Sequence, residues 1–195
     1  MIRIGLIGDI ASGKSFIAKL FNCPIFNADE EVKYLYKNSK ICFYNLKRKL
    51  PKFIKSFPIK KIELTTAIKT NNNNLKKISS VVHPLVRKRM KAFLKENNKS
   101  KIIILDIPLL VENKLDKKND ILIFIKSSKK NILSRLSSRK KYDKNLLKTL
   151  KQNQLILSKK IGIADYIVDN NYSPYIMKKK VKLLKRKILN ERNNS

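Results

Sequence analysis

Gly8-Asp9-Ile10-Ala11-Ser12-Gly13-Lys14-Ser15 stands directly after an apolar run over residues 2–7. Its spacing is a glycine, four residues, then Gly-Lys-Ser, which lets consecutive backbone N–H groups converge on phosphate oxygens. The preceding run ends in glycine and reads as a short, buried parallel strand. Residues 14–21 follow with helical spacing, so a helix presents its positive end to the same anion. In that frame Lys14 reaches the β- and γ-phosphates of a nucleoside triphosphate and the Ser15 hydroxyl is placed for Mg²⁺. Gly8, Ala11, Ser12, Gly13, Lys14, Ser15 and Phe16 are the expected ATP-binding residues. Strand, loop and helix in this order point to an ATP-dependent small-molecule kinase.

Outward from the loop, strands and helical patterns alternate. A second strand is expected over 24–26, opening into Asn27-Ala28-Asp29-Glu30-Glu31, an acidic helix start. A weak helical pattern runs to about 48. Residues 50–75, with Pro51, Pro58 and four consecutive asparagines, form the least organised stretch. Helices are expected over 75–82 and from His83-Pro84 to 96, then strands over 101–107 and 121–125. Helices near 129–140 and 144–161, a strand at 166–168 and a C-terminal helix from 173 complete the chain. Strand–helix alternation predicts an α/β fold with a parallel, doubly wound sheet.

The chain of 195 residues suits one domain with an inserted part, and 43% hydrophobic residues suffice for a core. Its charge is extreme: 46 Lys+Arg against 14 Asp+Glu, or +32. Such a balance raises the question of nucleic acid or an anionic membrane. The lysines, however, are spread along the whole chain and accompany abundant Ile and Asn, the composition that AT-rich codons produce. No interleaved basic and aromatic motif is present, so no specific nucleic-acid partner is expected. The field still favours anionic small molecules. Cys23 and Cys42 form no disulfide or zinc pattern, and no stretch approaches the roughly 20 apolar residues that span a bilayer. A cytoplasmic protein with no membrane partner is expected, as a monomer.

Transfer to an alcohol needs a group that orients or deprotonates the nucleophile. Asp29, after the second strand, is the candidate, with capping of its helix as the bland alternative. Asp106 closes the apolar strand Ile102-Ile103-Ile104-Leu105-Asp106 and resembles a strand-end Mg²⁺ ligand. A capped turn before Pro108 is its alternative. Arg135 and Arg139, four apart, share one helical face and suit a developing phosphate charge. In a chain that favours lysine, a retained arginine hints at bidentate geometry.

Taken together, these segments resemble one family, dephospho-CoA kinase, over nearly the whole chain. The likeness rests on the loop, on Asn27-Ala28-Asp29 where the family has Asp-Ala-Asp, and on His83-Pro84-Leu85-Val86. It extends through Asp106-Ile107-Pro108-Leu109-Leu110-Val111-Glu112, Arg135, Arg139, Gln154 and Ala164-Asp165-Tyr166-Ile167-Val168-Asp169-Asn170. The resemblance implies a nucleoside-monophosphate-kinase-like P-loop fold with a five-stranded parallel sheet. The core would comprise about 1–30, 100–130 and 160–195, a helical substrate-binding part 31–99, and a small lid 131–160.

The resemblance also implies phosphorylation of the ribose 3′-hydroxyl of dephospho-CoA by ATP and Mg²⁺, the last step of coenzyme A synthesis. It makes Asp29 the general base and Lys14, Arg135 and Arg139 the catalytic cations. His83, Pro108, Leu109, Leu110 and Glu112 would line the acceptor site, and Asn170 would lie near the adenine of ATP. His83 as a helix-start core residue stays open. The chain departs from the family at several positions. Asn27 replaces an acid, Asp9 and Ala11 replace loop glycines, Phe16 stands where Thr is common, and Lys160 replaces an arginine. These read as drift in a working enzyme. From the residues alone, another P-loop kinase acting on a nucleoside monophosphate or nucleoside stays open, and more remotely a nucleic-acid-binding protein.

Overall fold

A computed structural model describes residues 1–138 and 155–193. They contain a five-stranded sheet: β1 (Ile2–Gly8), β2 (Ile25–Asn27), β3 (Ile102–Asp106), β4 (Ile121–Lys126) and β5 (Tyr166–Asp169). The strand order is β2-β3-β1-β4-β5. β1 pairs in parallel with β3, Ile4 against Ile104, and with β4, Leu6 against Ile123; β4 pairs in parallel with β5. The parallel sheet expected from the sequence is therefore the one found. Its interior strands are apolar along their whole length because helices cover both faces of such a sheet: all five residues of β3 and the first five of β4 are buried.

The chain divides into two compact units, one of residues 1–26 and 99–195 and one of residues 27–98. The first contains the sheet with α1 (Lys14–Leu20), α6 (Lys129–Ser137), α7 (Leu157–Gly162) and α8 (Pro174–Asn193). Ile17, Ala18 and Phe21 from α1 and its end pack with Ile4, Leu6, Ile104 and Ile123 of the sheet and Met177, Val181 and Ile188 of α8. Because the strands are parallel, the carboxyl ends of β1, β3, β4 and β5 open on one edge, where such sheets bind ligands.

The second unit is helical: α2 (Ala28–Asn38), α3 (Lys40–Lys49), α4 (Lys61–Thr70) and α5 (Asn73–Glu96). It has its own core, including Leu35, Phe43, Leu46, Ile54, Leu64, Ala67, Ile78 and Val82. Three expectations are corrected in this unit. The pattern from 27 to 48 is broken at Ser39, whose hydroxyl accepts from the Cys42 N–H at 3.1 Å and starts α3. A ten-residue helix, α4, occupies part of the stretch that looks least organised in sequence, with Leu64 and Ala67 buried one turn apart. The two helices expected around His83-Pro84 are one, and Pro84 sits inside α5. The proline removes one hydrogen-bond donor, which packing of α5 against α2, α3 and α4 outweighs.

Candidate phosphate-binding site

The carboxyl end of β1 runs straight into the loop, which turns through three left-handed residues. Gly8 has φ 147°, Ala11 φ 61° and Gly13 φ 95°. At Gly8 a Cβ would lie 2.6 Å from the Ile125 carbonyl oxygen, and at Gly13 it would lie 2.2 Å from Nδ2 of Asn170. Both positions therefore require glycine. Ala11 adopts the conformation that the family's glycine takes freely, at a cost of about 1 kcal/mol. Asp9, the other departure, turns its carboxylate onto the Ile10 N–H at 2.7 Å.

Lys14 lies back across the loop. Its Nζ donates to the carbonyls of Asp9 at 2.8 Å and Gly8 at 3.3 Å. Burial lowers its pKa to about 8; the Asp106 carboxylate opposes that fall and the Lys160 ammonium adds to it. Asp106, at the end of β3, is buried. Ser15 and Phe16 are exposed at the start of α1, and Ser12 Oγ is buried with no hydrogen-bond partner. Glycine-shaped turns, a bent-back ammonium and an orphaned hydroxyl fit a phosphate group. Ser15 and Asp106 supply hard oxygen ligands of the kind Mg²⁺ takes. Among the described residues no cluster of three or more His, Cys, Asp and Glu residues could hold a metal by itself.

A brace behind the loop gathers two more predicted residues. Arg135 Nη1 donates to Ser12 O at 3.0 Å, Ala11 O at 3.3 Å and Ser127 Oγ at 3.0 Å, while Nη2 donates to Asn170 O at 3.2 Å. Asn170 Nδ2 donates to Ser12 O at 2.8 Å, and the Asn170 N–H to Lys126 O at 2.8 Å. Asn170 is buried. The structure thus brings Arg135 and Asn170 together on the loop's carbonyl side. Ser127, just past β4, completes the brace; no sequence signal marks it, since its role arises from a contact across the sheet edge. Arg139 and Gln154 lie outside the described residues.

The segment after β3 is held by its own turns: the Asn113 N–H donates to Leu109 O and the Leu115 N–H to Leu110 O, each at 3.0 Å. Pro108 is exposed, Leu109 takes φ 57°, and Leu110 is only 1% exposed. A Cβ on Gly5 would come within 2.4 Å of the Leu110 side chain, so Leu110 fills the space that Gly5 leaves and serves the core. Glu112 is paired with Lys160 at 2.8 Å. Burial alone would raise the Glu112 pKa, but hydrogen bonds from Lys160 and from backbone N–H groups carry it below the usual range. Lys160 stands out in the sequence only as a replaced arginine, and its burial has no local signature.

In the helical unit, Asn27 caps α2: its side chain accepts from the Glu30 N–H at 3.0 Å. The cap belongs to Asn27 and not to Asp29, which lies exposed in the first turn. Of its acidic neighbours, Glu30 binds Lys33 at 2.6 Å and Glu31 binds Arg89. His83 is on the outer face of α5, not in the core; its partial shelter and the positive charge of Arg87 lower its pKa.

The family model for dephospho-CoA kinase matches residues 2–174. This chain belongs to the dephospho-CoA kinase family. The dephospho-CoA kinase of Rickettsia typhi is 32% identical over 189 residues, covering 95% of this chain and 97% of that protein. Among solved structures, one from Thermus thermophilus superposes with a TM-score of 0.75 at 22% identity, covering 97% of each chain. The dephospho-CoA kinase from Campylobacter jejuni gives a TM-score of 0.66 at 21% identity, over 95% of this chain and 96% of that one. At these identities the two structures show the shared fold alone. Family membership makes the chain a kinase, so the loop belongs to a phosphotransferase. No described helix is long and apolar enough to cross a membrane.

Proposed function

We propose that this protein transfers the γ-phosphate of ATP to the ribose 3′-hydroxyl of dephospho-CoA, giving ADP and coenzyme A. The observation that carries the reading is a family match over residues 2–174 in a chain whose phosphate-binding loop is intact in sequence and in turn geometry. The loop over residues 8–15 holds the triphosphate through its N–H groups, and Lys14 leaves its two carbonyls to meet the β- and γ-oxygens. Arg135 and Asn170 keep the loop in shape and place a guanidinium beside the donor, and Asn170 borders the adenine. Ser15 and Asp106 would hold Mg²⁺, whose charge would offset that of the phosphates.

Asp29 takes the proton of the 3′-hydroxyl as its oxygen bonds to the γ-phosphorus; the bond from that phosphorus to the bridging oxygen breaks and ADP leaves. Asn27 supports this role, because it supplies the cap of α2 that Asp29 would otherwise be read as providing. Residues 108–112 form an acceptor wall that Leu110 anchors from the core, His83 serves acceptor binding from its own unit, and Arg139 adds charge at the transferring group.

A coupled ADP-release assay tests the reading. ADP must form with dephospho-CoA well above the ATPase background. Background-level ADP with dephospho-CoA, beside turnover of a nucleoside monophosphate, would show a different kinase. The Asp29→Asn variant should lose on the order of 10²-fold or more in kcat while binding ATP normally, the size of a general-base effect. Near-normal kcat in that variant removes Asp29 from the mechanism.

A further inference from the structure

Lys160 on α7 is the least exposed lysine among the described residues, at 3% exposure, in a chain with 46 Lys+Arg. A buried ammonium is costly unless it is paired. Its partner is Glu112, with Nζ 2.8 Å from Oε1; the two side chains are 4% and 11% exposed. The same carboxylate oxygen accepts from the Leu155 N–H at 3.0 Å, one residue before the N-cap of α7. One oxygen of Glu112 thus holds two donors from a distant stretch of chain, and Glu112 is the acid that keeps the Lys160 ammonium inside. Codon bias explains many lysines on a surface. It does not explain one buried against one of 14 acids.

We propose that Glu112 and Lys160 form a positioning pair that fixes residues 107–115 against the start of α7, so that Glu112 shapes the acceptor wall without contacting the acceptor. The statement about the acceptor rests on the function proposed above. The pair itself rests on the contacts alone. It also places two opposite charges in the surroundings of Lys14, so the pair adds no net charge there. Breaking it upsets that balance, because an unpaired buried charge is worse than none.

The test is a double-mutant cycle of Glu112→Gln, Lys160→Met and the two combined, with Lys160→Arg as the conservative control. Melting temperature is read on all four, and the KM for dephospho-CoA on those with activity. Each single variant should lower the melting temperature. Each should raise the acceptor KM by about tenfold, the scale of coupling between contacting residues. The double variant should be no worse than the poorer single, and Lys160→Arg should stay near wild type. A raised KM in Glu112→Gln with both readouts unchanged in Lys160→Met would mean that Glu112 contacts the acceptor directly, overturning the proposal. Additive losses in melting temperature would overturn the pair. If the wild-type protein does not turn over dephospho-CoA, the function proposed above falls and the unfolding cycle still decides the pair.

Discussion

Lys14 meets two opposed demands at the residue scale. It must be charged to meet phosphate, yet burial pulls its pKa down to about 8. Asp106 partly restores it, and the carbonyls of Gly8 and Asp9 accept its hydrogens. A bound polyphosphate favours the charged form, so its arrival raises the lysine pKa. Affinity for ADP, measured without divalent cation, should be flat between about pH 7, where the terminal phosphate is already deprotonated, and about pH 8. Above that it should weaken toward tenfold per pH unit until the pKa of the complex is reached. In Lys14→Met this alkaline limb should vanish along with most of the affinity. A flat profile from pH 7 to pH 10 in the unsubstituted protein would mean that Lys14 stays fully charged in the empty loop.

At the scale of the element, α2 shows how a departure from a family pattern is absorbed. Asparagine and aspartate cap helices about equally well, and Asn27 makes the cap bond to Glu30. Asn27→Asp should therefore leave stability within a few tenths of a kcal/mol, whereas Asn27→Ala should cost about 1 kcal/mol in urea unfolding. No loss in Asn27→Ala would show that the cap does not hold α2. Elements written in local spacing are legible in the amino-acid order itself: the loop, the apolar strands β1, β3 and β4, and the acidic start of α2. What stays hidden depends on contacts distant in sequence. α4 has weak amphipathicity and is helical because Leu64 and Ala67 find a core formed by α3 and α5. Pro84 reads locally as a helix boundary, and only packing keeps α5 continuous through it. The helical face of Arg135 points in sequence toward the phosphates, yet the side chain reaches back 124 positions to the Ala11 carbonyl. Lys160, likewise, is marked in sequence only as a replaced arginine, and nothing local sets its burial apart from the exposure of its neighbour Lys159.

For the whole molecule the dominant physical fact is charge. With 46 cationic side chains and 14 acidic ones, one-to-one pairing would leave at least 32 cations without an acidic partner. Two of the acids are already committed to the interior, Asp120 to Arg3 at 2.9 Å and Glu112 to Lys160. Those buried pairs are shielded from salt, while exposed pairs such as Lys33–Glu30 contribute little. Most of the electrostatic energy is therefore repulsion among surface lysines, which opposes the compact state. Raising NaCl from about 0.01 M to about 0.15 M shortens the screening length from roughly 30 Å to roughly 8 Å. That removes repulsion between distant cations and leaves the apolar cores of both units untouched. The melting temperature should rise by several degrees over this range, about 2–4 °C for each kcal/mol of repulsion relieved in a chain of this size. In a chain of balanced charge, the same salt would weaken attractive pairs and leave the melting temperature level or lower. That result would mean that the cations are so well spaced, or the unfolded chain so equally repelled, that +32 does not weigh on folding. A rise would identify self-repulsion as a burden that the two hydrophobic cores carry.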